Sequence, residues 1–315
     1  MSILDCAIIG GGPAGLTAGL YTTRGGLENV TMFEKGLPGG QIMNSSEIEN
    51  YPGVAGEVTG MELMTPWPEQ CQRFGLVHEM VNITRVSKSG DIFTIHKEDG
   101  TSTDAHSVII GTGSSPRRAG FSGEGEFFGR GVSTCATCDG FFYKGKEVAV
   151  IGGGDTALEE ALYLAKLCSK VYLVHRRDTF RAAPNTIKRV ENTPNIELIL
   201  NSSPDEVYGD NMGVTGLRVK NKEGELREII VPGVFTFVGN DINNGTLIQE
   251  DGNFLCEMND LGQVKVDLKM QTTTPGLFAT GDMRQDAPKQ VVSAAGDGAV
   301  AALSAISYVD ELLNG

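Results

Sequence analysis

Cys6-Ala7-Ile8-Ile9-Gly10-Gly11-Gly12-Pro13-Ala14-Gly15 is the stretch that decides the fold. Four apolar residues read as a buried strand, run straight into a glycine turn and are followed by a small-residue helix over Leu16–Thr23. In such a strand–turn–helix the first glycine permits the tight turn, and the second lets backbone approach a pyrophosphate. Gly15 then lets helix and strand pack closely. Asn29-Val-Thr-Met-Phe33 reads as the next strand and delivers Glu34. An acid about twenty residues past the turn, at a strand end, accepts both hydroxyls of an adenosine ribose.

The same grammar returns further along. Val148-Ala-Val-Ile151 leads into Gly152-Gly-Gly154-Asp155-Thr156-Ala157, a helix, and then the strand Lys170-Val-Tyr-Leu-Val174. Where the first unit has Glu34, this one has His175-Arg176-Arg177, with Arg181 close behind. Paired arginines suit a 2′-phosphate through charge-assisted hydrogen bonds, so the second nucleotide is read as NADPH rather than NADH. His175 is open to two readings, a nucleotide contact or a strand-end surface residue. Either glycine turn alone is weak evidence; two, each with its strand, helix and discriminating residue, are strong.

Just before the second turn stands Cys135-Ala-Thr-Cys138-Asp139-Gly140. Two cysteines separated by two residues close a reducible ring, and their thiols become more acidic at a helix N-terminus. A structural zinc site needs four ligands, and the chain has no second Cys-x-x-Cys and no histidine cluster. No metal is therefore expected. Asp139 reads either as a buried acid able to protonate a departing thiolate or as a helix cap.

The remaining sequence bounds the class. A length of 315 residues favours two domains. A net charge of −14 opposes binding to a phosphate backbone, which excludes nucleic acid. No run of 18 or more apolar residues is present, so neither membrane anchoring nor export is expected. Cys6, Cys71, Cys168 and Cys256 are scattered singly, as suits free thiols in a reducing compartment, and the cytoplasm is the expected location. His78, His96 and His106 read as surface positions. Between the two glycine turns, Asp91–His96 and Ser107–Gly113 read as strands of a meander, and Gly113-Ser-Ser-Pro116 as the exit from the first domain. Val234–Gly239 reads as a buried strand before a turn at Asn243-Asn244. Thr274–Asp282 reads as a strand with an acid at its tip, and Gln290–Leu313 as a long helix whose first half is small residues. Those suit either close approach to a cofactor or tight helix packing. Met61–Phe74 has helical spacing interrupted by Pro66 and Pro68, which predicts a break around Trp67.

Taken together, Gly10–Gly15, Gly39-Gly-Gln41, Glu49-Asn-Tyr-Pro-Gly53, the Cys-Ala-Thr-Cys-Asp run, His175-Arg-Arg177 with Arg181, and Gly281-Asp282 resemble the bacterial-type, low-molecular-weight thioredoxin reductases, a class of pyridine nucleotide-disulfide oxidoreductase. The likeness spans nearly the whole chain in order. It implies an α/β protein with two Rossmann-like, three-layer (ββα) nucleotide-binding domains. A discontinuous FAD domain would span 1–115 and 245–315, with an NADPH domain carrying the cysteine pair inserted at 116–244. It further implies a homodimer whose domains rotate against each other, with electrons passing from NADPH to FAD, to the Cys135–Cys138 disulfide and to oxidised thioredoxin. Cys138 would be the sulfur nearer the flavin.

On the same likeness FAD would be held by Gly10, Gly12, Pro13, Ala14 and Gly15, by Glu34 and Lys35, and by Gln41, Asn50 and Gly113. At the far end of the chain Asp282, Lys289, Gln290 and Val291 would join them. NADPH would be held by Gly152, Gly154, Asp155 and Thr156 with His175, Arg176, Arg177 and Arg181. The chain departs from the family at Lys289-Gln290-Val291, where Arg-Gln-Ala is usual, and at Gly111, where alanine is common. Lysine keeps the charge but loses the planar fork. Two alternatives stand beside this reading: a flavin disulfide reductase for another thioredoxin-like acceptor, and a non-catalytic nucleotide-binding redox sensor.

Overall fold

The computed structural model describes residues 3–45, 48 and 50–315. Glu49 of the Glu49–Gly53 stretch lies outside the described residues. The chain divides into two compact units, Met1–Ser115 with Ile242–Gly315, and Pro116–Asp241.

The first unit opens with β1 (Leu4–Ile9), α1 (Pro13–Arg24) and β2 (Val30–Glu34), the strands pairing in parallel. Two short helices follow, α2 (Gly60–Met64) and α3 (Pro66–Gln72). The break falls at Thr65 rather than at Trp67, which lies inside α3. Pro66 takes the first helical position, where the missing N–H has no partner to lose. Then come β3 (Val77–Met80), β4 (Ile83–Ser89), β5 (Ile92–Lys97), β6 (Ser102–Ile110) and β7 (Ser114–Pro116).

The second unit contributes β8 (Val132–Ser133), the single turn α4 (Ala136–Asp139), β9 (Glu147–Gly152), α5 (Asp155–Leu167), β10 (Lys170–Val174), α6 (Pro184–Glu191) and β11 (Ile196–Ile199). An antiparallel meander, β12 (Ser202–Asp210), β13 (Gly213–Asn221) and β14 (Leu226–Ile229), precedes β15 (Gly233–Phe237) and β16 (Asn240–Ile242). The chain ends with β17 (Leu277–Ala279) and α7 (Val291–Asn314). The strand expected over Thr274–Asp282 is confined to three residues, because Gly281–Met283 coil into a 3₁₀ turn.

Each unit is a three-layer sandwich. In the first, the strand order is β3-β2-β1-β6, and β6 forks: its first half pairs antiparallel with β5, its second half parallel with β17. Alternation along β1 sends Cys6 and Ile8 toward Leu16, Ala18, Ala301 and Ala305 of the helices. Ala7 and Ile9 face Val86, Phe93 and Ile95 of the meander. In the second, the parallel sheet β11-β10-β9-β15-β8 lies between α5 and the β12–β14 meander. Phe235, fully buried on β15, meets the Tyr143 ring edge-on at 5.4 Å between centroids.

By length and composition α7 is apolar enough to cross a membrane, with a mean hydropathy of 1.3. Here it packs against α1 and β6 and carries a buried, ion-paired aspartate, Asp297. Its many alanines raise the hydropathy, and its small residues allow the close packing on α1.

Truncating Phe235 to alanine removes a fully buried aromatic ring from the helix side of the second sheet. Denaturant unfolding is expected to show a loss of about 3–5 kcal/mol.

Candidate active site

At the end of β1, Gly10 turns the chain with a φ of +105°. The Gly10 carbonyl then lies so close to Gly15 that a β-carbon there would overlap it. This crossing draws the start of α1 against the strand, as the spacing predicts. Gly12 is the N-cap of α1 and supplies no side chain to it, with Pro13 in the first turn. The helix therefore presents its first N–H groups without a protein cap, an arrangement suited to an anion.

Glu34 is half-buried at the tip of β2. Its Oε2 accepts from Gly11 N at 2.8 Å and its Oε1 from Gly36 N at 3.1 Å, which fixes the carboxylate beside the turn. Lys35 is exposed. The loop that carries Gln41 is brought in by Gly39 N, which donates to Gly11 O at 2.7 Å. Gln41 Nε2 donates to the Ser114 carbonyl, one residue past Gly113. Asn50 Nδ2 donates to Gln290 Oε1 at 3.2 Å, joining two predicted contacts that lie 240 residues apart.

The last group of predicted residues gathers at the start of α7. Gln290 is its N-cap and Val291 its first residue. Gly298 has no room for a β-carbon, which would meet the Ala14 carbonyl, so the small residues of α7 serve its close contact with the first turn of α1. Asp282 sits in the 3₁₀ turn between β17 and α7. Burial raises its pKa; Lys289 opposes that, Asp297 adds to it and Arg284 opposes it again. Arg284 grips Asp297 through Nε to Oδ2 at 2.6 Å and Nη2 to Oδ1 at 3.1 Å, and Gly281 N donates to the same Oδ2 at 3.2 Å. Asp286 and Lys289 both adopt left-handed backbone, with φ of 56° and 57°, on the loop leading to Gln290. Non-glycine residues hold such conformations only where the surroundings impose them.

In the second unit Gly154 caps α5, again without a side-chain bond, and Asp155 and Thr156 are exposed on its first turn. Two bonds bring the basic loop over this turn: Arg181 N to Gly153 O at 2.8 Å, and Ala183 N to Asp155 Oδ1 at 2.7 Å. Arg176, Arg177 and Arg181 are all exposed. His175 is not the surface residue of one expectation. It is 9% exposed, lies against Gly153, stacks on Phe180 at 5.2 Å and donates through Nε2 to Thr179 O at 3.1 Å. Burial lowers its pKa, with Arg176 and Arg177 acting in the same direction.

Cys135 and Cys138 are joined as a disulfide, with Cα atoms 5.3 Å apart. Cys135 caps α4 and Cys138 lies within it. Asp139 ends that turn and makes no capping bond, so the cap reading falls. Its carboxyl is instead pushed up by burial, with a hydrogen bond from Ser133 holding it back. Ser133 Oγ also accepts from Cys135 N at 3.0 Å.

Two nucleotide turns and a closed cysteine pair on one chain are the signature of flavin-linked disulfide chemistry, and a model of the pyridine nucleotide-disulphide oxidoreductase family matches residues 4–298. The chain belongs to the pyridine nucleotide-disulphide oxidoreductases. It is 60% identical over 309 residues to a thioredoxin reductase of Helicobacter pylori, covering 98% of this chain and 99% of that one. The crystal structure of thioredoxin reductase from Streptococcus pyogenes matches with a TM-score of 0.92 at 37% identity, over 98% of this chain and 99% of that one. A glucosaminate ammonia-lyase of Pseudomonas fluorescens is 40% identical over 314 residues, 98% of this chain and 96% of that one. Since family members carry different names, the cysteine pair is what ties this oxidoreductase to disulfides.

Reading the sequence alone missed Ser133 and the Arg284–Asp297 pair. A lone aspartate among alanines and glycines was the available signal for the pair, since a buried carboxylate demands a partner. His78, His96 and His106 are half-buried rather than on the surface. His96 Nε2 lies 2.8 Å from Ser87 Oγ.

Two expectations follow from this chemistry. Replacing Arg284 with methionine strands the Asp297 carboxylate and is expected to cost about 3–5 kcal/mol in denaturant unfolding, with lysine recovering part of it. Asp139 has a raised folded pKa, so its contribution favours folding at acid pH and is lost as pH rises through that raised value. Relative to wild type, Asp139→Asn should therefore gain stability from the ordinary carboxylate range upward, as unfolding midpoints measured against pH will show.

Proposed function

We propose that this chain is an FAD-dependent, NADPH-oxidising thioredoxin reductase, passing electrons from NADPH to FAD, to the Cys135–Cys138 disulfide and to oxidised thioredoxin. The observation that carries the reading is the closed cysteine pair beside a half-buried acid, in a chain with two complete nucleotide turns.

The residues present fit both cofactors. In the first unit the glycine crossing, the uncapped N-terminus of α1 and the fixed Glu34 carboxylate suit the pyrophosphate and ribose of FAD. Gln41, Asn50, Gly113, Asp282, Lys289, Gln290 and Val291 would complete its cradle. In the second, the uncapped α5 N-terminus suits the NADPH pyrophosphate, and the exposed Arg176, Arg177 and Arg181 suit its 2′-phosphate. When bound, the two cofactors supply hydride chemistry and two-electron reduction of a disulfide.

The chain's own residues do the rest. One thiolate of the reduced pair attacks a sulfur of oxidised thioredoxin, the disulfide there opens, and a mixed disulfide forms. The second cysteine then attacks the mixed disulfide, re-forming the Cys135–Cys138 bond and releasing reduced thioredoxin. Asp139, whose carboxyl is pushed up by burial, would hand a proton to the departing thiolate. A homodimer in the cytoplasm belongs to the same reading. The four free, buried cysteines suit a reducing compartment, and exposed Val300 and Leu303 of α7 suit a self-association face.

The test is anaerobic NADPH oxidation by the FAD-loaded protein, with and without thioredoxin coupled to insulin reduction. Thioredoxin-dependent multiple turnover supports the reading, and flavin reduction without it redirects attention to another acceptor. Cys138→Ser is expected to retain FAD and its reduction by NADPH while losing disulfide reductase activity. Arg176→Ala combined with Arg177→Ala should raise the KM for NADPH about tenfold to a hundredfold, the loss of one or two charge-assisted bonds, and leave NADH nearly unchanged.

A further inference from the structure

The Asn243-Asn244 pair stands where the chain re-enters the first unit, and the electron relay makes no use of it. Four hydrogen bonds join Asn243 to residues 112–115, and its partner Thr112 lies 131 positions earlier in the chain. Asn243 Nδ2 donates to Thr112 O at 2.9 Å, and its carbonyl accepts from Thr112 Oγ1 at 2.7 Å. Its N–H donates to Gly113 O at 3.1 Å, and its Oδ1 accepts from Ser115 Oγ at 3.2 Å. Every polar atom of Asn243 is committed to this one short segment.

Three groups of the proposed flavin cradle meet there. On the side of the first glycine turn, the Gly111 carbonyl lies so close to Gly10 that a β-carbon on Gly10 would overlap it. On the side of the Gln41 loop, Gln41 Nε2 donates to Ser114 O and, at 3.4 Å, to Ser115 Oγ. Toward the 3₁₀ turn, Thr112 Oγ1 lies 3.4 Å from the sulfur of Met283, the neighbour of Asp282. Gly113 passes through the middle of the segment with a φ of +68°. Residues 111–113 follow the end of β6 and belong to no strand, so bonds from elsewhere must fix them.

We propose that Asn243 is a positioning residue of the flavin site, clasping residues 112–115 and so setting Gly113 and Gln41 in register with the first glycine turn and with Asp282. The proposal rests on the reading of Gly113, Gln41 and Asp282 as flavin contacts. Asn243 is exposed, so its removal leaves the core intact. What it contributes is order: a segment held in place before FAD arrives spares binding the cost of fixing it. The amide suits the task because it offers a donor and an acceptor side by side. Aspartate in its place keeps the acceptor for Ser115 but turns a second acceptor toward the Thr112 carbonyl.

The experiment frees the full-length chain of flavin and titrates it with FAD. Bound flavin is read from its fluorescence and visible spectrum, and unfolding of the flavin-free chain is followed separately. Asn243→Ala and Asn243→Asp should each weaken FAD affinity about tenfold, the equivalent of one or two hydrogen bonds, while the unfolding midpoint of the flavin-free chain stays at the wild-type value. Thr112→Val should weaken affinity in the same direction, and Thr112→Ser, which keeps the hydroxyl, should restore it. If Asn243→Ala is recovered unfolded, Thr112→Val decides, because it opens the same clasp from the other side. Asp282→Ala with the wild-type affinity and spectrum overturns the placement of flavin here and the proposal with it. A weakened Asp282→Ala beside a wild-type-like Asn243→Ala overturns the proposal alone. So does an Asn243→Ala whose flavin-free chain loses stability in step with its affinity, or a Thr112→Ser that behaves like valine.

Discussion

Direct contact of backbone with backbone, at points where no side chain could fit, is the constraint on which the rest of the first unit depends. At Gly15 the start of α1 lies on the carbonyl of the turn that precedes it, and at Gly298 the last helix lies on the carbonyl of Ala14. Strand end, first helix and last helix consequently meet around a few residues, although α7 lies nearly 300 positions along the chain from α1. A methyl at either point would push an element away by more than packing tolerates. The uncapped N-terminus of α1 and the acids of the 281–297 region are neighbours because these crossings are bare.

Such convergence crowds polar groups out of water, and each unit meets the cost with a compact hydrogen-bonded solution. In the first, the Asp297 carboxylate is saturated by two Arg284 nitrogens and the Gly281 N–H, which pins the turn carrying Asp282 to α7. In the second, Ser133 Oγ accepts from the Cys135 N–H beside the disulfide. The two differ in kind. The ion pair is bidentate and rigid, suited to holding a fixed shape, whereas the serine makes neutral hydrogen bonds to the backbone two residues away.

The sequence announced what depends on neighbours a few residues away. Strand, glycine turn and helix follow one another directly at Cys6–Thr23 and again at Val148–Leu167, and the cysteine pair is contiguous, so all three were legible. Gln41 and Asn50 were reachable only through family likeness, because the partners that fix them, Ser114 and Gln290, lie 73 and 240 residues away. His175 was ambiguous for a related reason: its burial depends on Gly153 and Phe180, which share no periodic pattern with it. Arg284 and Ser133 belong to loops and strand ends whose spacing carries no code. The helix break moved from Trp67 to Thr65 because a proline at a helix start is a beginning rather than an interruption.

The contrast among the six cysteines explains how disulfide chemistry stays confined to one place. Burial pushes the Cys6 thiol up to about 12 and those of Cys71, Cys168 and Cys256 up to about 11. At neutral pH the thiolate fraction of the latter three is on the order of one in ten thousand, and thiolate is the species that attacks a disulfide. Cys135 and Cys138 lie on a half-buried turn that ends in Asp139. Exchange with a protein disulfide is thereby kept away from the four single thiols both by burial and by their protonation. The same fold can hold four more sulfurs without scrambling because its cores keep them protonated.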